Sequence, residues 1–404
     1  MKNEPKIRIK GFEGEWKETR LGDIGNTYSG VGFPIEEQGG CIGTPFYKVS
    51  DMNKKGNEAI MKSSNNYVNK NQIENHGWTI CRQIPAIFFA KVGAAVLLDR
   101  KRLVLEPCLC DNNTMLYCLN KDSWDPFFCL SLFETIKLSS LSQIGTLPSY
   151  NGSAVENLYI KIPPLSEQRA IATYFRHLDS LIEIADKKVA SLKQVKEASL
   201  QSMFPKEGQK VPEVRFKGFE GEWKVCQGED LFETYNERNR PDLPVLSAFQ
   251  DIRGMAVRSD SGYEISHNKR NEVTYKVVKP GQFVMHLRSF QGGFAHSSIE
   301  GITSPAYTVF GFKESNANND YYWKTIFMSK EFIDRLKTIT YGIRDGRSIS
   351  FPEFLKMKFR VPSIDEQRKI ASFFVHLDKQ IAIAQQRLDL LRRIKSACLD
   401  GMFV

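Results

Sequence analysis

Two histidines stand at matching places in a sequence that repeats itself. His177 and His376 are each followed by Leu-Asp. An imidazole near a carboxylate can serve general acid–base chemistry. No nucleophile or metal-ligand cluster is evident around either, so a duplicated structural residue is the better reading of the pair. The other catalytic signatures are missing. There is no GxxxxGK[ST] and no HExxH, and Gly30-Val-Gly32 lacks the third glycine of a dinucleotide loop. Pro163-Pro164 lacks the acidic or Asn residue and the aromatic of an amino-methyltransferase motif. The eight cysteines, at 41, 81, 108, 110, 118, 129, 226 and 398, contain no CxxC pair. That spacing suits buried thiols in a reducing cytoplasm better than zinc or disulfides. No catalytic centre, metal or cofactor is expected in this chain.

Binding chemistry is better represented. The 404 residues carry a formal charge of +9, which fits a polyanionic partner or merely a basic soluble protein. Candidate donors to phosphates and base edges in the first half are Lys48, Lys54, Lys55, Gln143, Thr146, Ser149, Tyr150 and Asn151. In the second half they are Arg253, Arg258, Lys269, Arg270, Arg288, Ser289, Gln291, Arg344, Arg347 and Ser348. Lys and Arg neutralise phosphates, and Arg, Gln and Asn also pair bidentately with bases. For any single one of them an ordinary surface residue is the better reading. Two loops concentrate them: residues 142–152 (SQIGTLPSYNG) and 340–350 (TYGIRDGRSIS).

The elements that position these loops come in two copies. Residues 7–17 read IRIKGFEGEWK and residues 214–224 read VRFKGFEGEWK, with nine of eleven positions identical. Residues 162–204 and 361–403 match at 19 of 43 positions and contain IPPLSEQRAIA and VPSIDEQRKIA. Each long repeat predicts a helix capped by Ser166 or Asp365, with Glu167 or Glu366 in the first turn, where a carboxylate suits the helix dipole. Apolar residues recur in steps of 4 and 3. They are Ile171, Phe175, Leu178, Ile182, Ala185, Val189 and Leu192, then Ile370, Phe374, Leu377, Ile381, Ala384, Leu388 and Leu391. A 3.5-residue period is a coiled-coil seam. The two helices could pair antiparallel along it, or each could meet another protein. A helix of about 38 residues would run roughly 57 Å.

The expected organisation is a first mixed domain over 1–161, a long helix over 162–204, a linker and second mixed domain over 205–360, and a second long helix over 361–404. The fold class is α/β (α+β), with an internal pseudo-two-fold repeat. Strands are predicted at 86–90, 94–98, 115–119, 281–285 and 307–312, and helices at 125–138 and 320–338. The variable blocks differ. The first carries SGVGFP at 29–34, where the second has Glu237-Arg-Asn-Arg-Pro241. One frame with divergent inserts suggests two different readers, since loops carry function while frames carry packing. Met1–Lys10 is charged and no apolar run is long enough to span a bilayer, so a cytoplasmic chain is expected.

This order of short tag (7–17 and 214–224), variable block (18–161 and 225–360) and EQR helix, given twice, resembles the specificity subunit of type I restriction–modification enzymes. KGFEGEWK, the two EQR motifs, SPAY at 304–307 and PGQFV at 280–284 carry the likeness, which covers essentially the whole chain. The resemblance implies a non-catalytic subunit in which two target recognition domains each read half of an asymmetric bipartite site in double-stranded DNA. It implies two methyltransferase subunits using S-adenosylmethionine. It also implies two motor-nuclease subunits using ATP and Mg where restriction is present. The rival reading is an interaction scaffold that binds no DNA.

Overall fold

The computed structural model describes residues 4–142, 147–249, 253–261, 269–285, 293–337, 340–341 and 348–404. The chain divides into two compact units, residues 1–186 with 387–404 and residues 187–386. Each unit therefore combines one variable block with a stretch of both long helices.

The variable blocks share a sheet that their sequences do not advertise. In the first, four antiparallel strands lie in the order Gly25–Ser29, Thr114–Leu119, Ala86–Ala90 and Lys101–Val104. In the second the same order is filled by Phe232–Tyr235, Thr308–Phe312, Phe283–Met285 and Phe294–His296. The strands at 86–90 and 114–119 are buried along both faces, which is why they read as continuous apolar runs. Each block is closed by a strand pair that joins the tag to the helix. Lys17–Arg20 pairs with Tyr159–Ile162, and Lys224–Gln227 with Lys358–Val361.

The first block adds a small sheet of Thr44–Tyr47, Tyr67–Val68 and Leu109–Cys110. SGVGFP seats it. A Cβ on Gly30 would stand 1.8 Å from the Asp111 carbonyl oxygen, so only glycine fits there. Phe33 stacks on Phe46 at 3.7 Å between ring centres, and Trp78 packs edge-on against both. The segment works in packing, through aromatic contacts that supply both area and geometry.

The long helices run Leu165–Ser202 and Ile364–Met402. They pair antiparallel, because contacts that ascend one helix descend the other. In the first unit Tyr174 meets Cys398 at 3.2 Å, and Asp179 pairs with Lys395 at 2.9 Å. In the second, Lys196 pairs with Asp378 at 2.6 Å and Phe204 packs on Phe374. The seam lies inward. Ile171, Phe175, Leu178, Val189, Leu192, Ile370, Phe374, Leu377 and Leu388 are buried, and Ile182, Ile381 and Leu391 are half-buried.

Several local expectations need correction. Ala94–Leu98 is a 3-10 turn, because Gly93 (φ 89) swings the chain outward and Asp99 (φ 51) ends it. The helix expected over 320–338 is two, Asp320–Phe327 and Lys330–Lys337. Ser329 restarts it by accepting the Phe332 N–H at 3.2 Å. Asp125 caps a shorter helix, Pro126–Thr135, and the strand at 281–285 spans only Phe283–Met285. Both long helices begin one residue before the predicted caps. Ser166 and Asp365 lie inside the first turn, and Ser363 Oγ takes the Glu366 N–H at 3.4 Å.

Candidate nucleic-acid interface

The EQR motif is built into the frame. Glu167 is 1% exposed and receives both Nε and Nη2 of Arg8 at 2.9 Å. Glu366, also 1% exposed, receives Arg215 in the same two-pronged way at 2.7 Å. These are charge-assisted bidentate pairs, the strongest class of side-chain hydrogen bond. Each hydrogen-bonded carboxylate holds its arginine's proton more tightly than usual. The neighbouring glutamine bonds in the opposite direction. Gln168 accepts the Asp125 N–H at 2.9 Å and donates to the carbonyls of Ser123 and Pro163 at 3.0 Å. Gln367 accepts from Asn319 at 2.9 Å and donates to Ala317 and Pro362 at 3.2 Å. Glutamate thus ties helix to tag, and glutamine ties helix to recognition block. Arg169 and Arg368 stay exposed.

The clamp sits at one end of the first sheet, near Trp124, whose indole donates to the Ile24 carbonyl at 3.0 Å. The opposite end, marked by Ser29, Ala90 and Thr114, carries the loops. There Val92 bridges Ser149 and Gly93 N–H donates to the Pro148 carbonyl at 2.9 Å, which fixes the chain leading out of 142–152. Lys91, which the sequence did not single out, reaches Ser29 Oγ at 3.2 Å.

The sequence-predicted donors separate into groups. Lys55 is exposed. Lys48 Nζ donates to Gln38 at 2.8 Å and Lys54 Nζ to the Ser64 carbonyl at 2.8 Å, so both ammoniums hold a loop together in the free protein. Ser149 is half-buried in its bridge. Asn151 caps the helix Gly152–Glu156 by accepting the Ala154 N–H at 2.9 Å. Tyr150 is buried, and its hydroxyl donates to the Ala90 carbonyl at 2.7 Å. Burial holds its ionisation above the usual phenol range. That side chain is turned into the core, not toward a groove. In the second block Arg253 lies over the Phe249 ring at 3.9 Å, and Arg258 Nε donates to Ser247 at 3.2 Å. Ser348 is placed by its backbone alone, in a strand paired with Thr340–Tyr341. Gln143, Thr146, Arg288, Ser289, Gln291, Arg344 and Arg347 lie outside the described residues.

His177 and His376 are exposed on the helices, and His376 meets Gln380 at 2.9 Å. Among the described residues no group of three or more His, Cys, Asp or Glu is placed to hold a metal ion. No described helix is long and apolar enough to cross a membrane.

A doubled frame with a doubled clamp is a specific architecture, and comparison with known proteins places it. The family model described as "Type I restriction modification DNA specificity domain" matches residues 13–194 and again 221–393. The chain belongs to that family. As a specificity subunit it is a non-catalytic component of a type I restriction–modification system, with a role in DNA specificity. It is similar to the type I restriction enzyme MjaVIII specificity subunit of Methanocaldococcus jannaschii, 22% identical over 68% of this chain and 68% of that one. It is also similar to the putative MjaX specificity subunit of the same organism, 21% identical over 71% of this chain and 69% of its relative. The solved S subunit from M. genitalium has the same fold, with a TM-score of 0.57, 13% identity and 99% of both chains covered.

Proposed function

We propose that each recognition block of this specificity subunit reads one half of an asymmetric bipartite site in double-stranded DNA. The paired helices set the number of unread base pairs between the halves. They also dock two methyltransferase subunits, which supply S-adenosylmethionine chemistry. Two motor-nuclease subunits, where the system restricts, supply the ATP- and Mg-dependent step. The observation that carries this reading is the repetition of one frame under unlike loops. The same four-stranded order and the same Arg–Glu and Gln clamps recur, while the letters at 142–152 and 340–350 differ. Two equal docking sites are supported by apolar positions that recur exposed on the helices. Ile184 and Ile383 are 61% and 56% exposed, and Val195 and Ile394 are 46% and 38%. Each residue of a pair holds the same place in its repeat. Exposed apolar side chains that recur by symmetry mark a partner surface rather than scatter.

The test is to lengthen the helices. One heptad inserted after Asp186 and another after Gln385 adds about 10.5 Å to each helix, roughly three base-pair steps. The methylated motif should gain about three unread positions and keep the letters of both halves. Changed letters with an unchanged gap would sink the spacer role.

A further inference from the structure

The 3-10 turn Ala94–Leu98 is fastened to the first recognition block at both ends and leaves two leucines in water. Val96 is buried, whereas Leu97 and Leu98 are 64% and 57% exposed. At the start of the turn, Gly93 is bonded to the Pro148 carbonyl. At its end, the Asp99 carboxylate pairs at 2.8 Å with buried Lys101 and takes the Ser139 hydroxyl at 3.4 Å. A tip braced in this way has little freedom left to lose on contact. Leu147, also exposed, lies next to Pro148 and so stands on the adjoining loop.

The surroundings of the tip are cationic. Arg100 follows it, with its guanidinium on the Asn53 side chain, two residues from exposed Lys55. Lys91 precedes it, on Ser29. Asp99, the acid within the turn, is already neutralised by Lys101. Adjacent aliphatic side chains flanked by cations match a partner that is anionic outside and apolar between its layers. A DNA duplex has that chemistry, and apolar wedges enter it at base steps while cations hold the flanking phosphates.

We infer that Leu97 and Leu98 form a wedge that enters the duplex at a base step in the half-site met by the first recognition block. Arg100 and Lys91 sit on the phosphates beside that step. The inference rests on the DNA-specificity reading above. The wedge adds a contribution that no hydrogen bond to a base edge supplies, since unstacking favours steps that open easily.

The experiment uses the complex with its modification subunit and a duplex carrying the motif read from methylated genomic DNA. 2-Aminopurine is placed at successive positions in each half. Fluorescence should rise at one step in the first half when the native complex binds. Leu97→Ser with Leu98→Ser should abolish the rise and weaken binding about tenfold or more, as expected for two lost apolar contacts. Leu97→Met with Leu98→Met should keep both, and melting curves check that each variant folds. No fluorescence rise in the first half, or native affinity in the serine variant, overturns the wedge. So does a folded serine variant that no longer binds the modification subunit, because the leucines then face protein. Absence of any methylated motif would be a different failure, that of the underlying reading, and would take the wedge with it.

Discussion

Arg215→Ala should destabilise the second unit by about 3 kcal/mol, because it strands a buried carboxylate. Glu366 is shut away from water and takes two guanidinium bonds at 2.7 Å. Without Arg215 the carboxylate keeps its desolvation cost and loses its partner. Arg215→Lys should recover only part of the loss, since an ammonium cannot make the planar two-pronged contact. The pairing of Arg215→Met with Glu366→Leu should recover most of it, because two apolar groups leave nothing charged and buried. Urea unfolding midpoints measure all three. The twin, Arg8→Ala opposite Glu167, should behave alike in the first unit. An unchanged midpoint in both would mean that the clamp is surface decoration and that the tag has another purpose.

Leu178→Asp and Leu377→Asp should abolish helix pairing in their units and, with it, binding of the modification subunits. Both leucines are buried in the seam. An aspartate there forfeits roughly 2 kcal/mol or more of apolar burial and adds an unpaired buried charge. Size-exclusion chromatography of the mixed subunits and far-ultraviolet dichroism on melting report the two losses separately. Ile184→Asp and Ile383→Asp supply the contrast. These side chains already face water, so the fold should hold while the modification subunit is lost. Normal assembly by both leucine variants would remove the seam from the account.

The helices were legible because a 3.5-residue period is local: every seam residue declares itself within one or two turns. The tag was legible as a repeat but not as a partner. Arg8 meets Glu167 across 159 residues, and nothing in either segment names the other. From sequence Glu167 reads as a companion of the helix dipole, and Gln168 shows only as part of a repeated motif, with no partner named. The best clue was that tag and EQR motif are repeated together, which hints at a shared task. The common sheet was hidden for a different reason. Ile87 faces Tyr117 in one copy and Phe283 faces Phe310 in the other, so packing fixed strand order without fixing residue identity. At Ala94–Leu98 the apolar run was real, yet Gly93 at positive φ turns it away from the sheet. Tyr150 looked like a loop donor because loops hold polar residues. Its ring instead packs in the core near Phe89, and its hydroxyl is satisfied by Ala90.

The most direct measurement is genome-wide adenine methylation, read by long-read sequencing. Cells expressing this chain with its modification subunit are compared with cells lacking the chain. A new two-part motif with unlike halves and a fixed gap should appear, and it should disappear when the chain is removed. If no motif appears while the same modification subunit methylates DNA through another specificity subunit, the chain does not choose sequence.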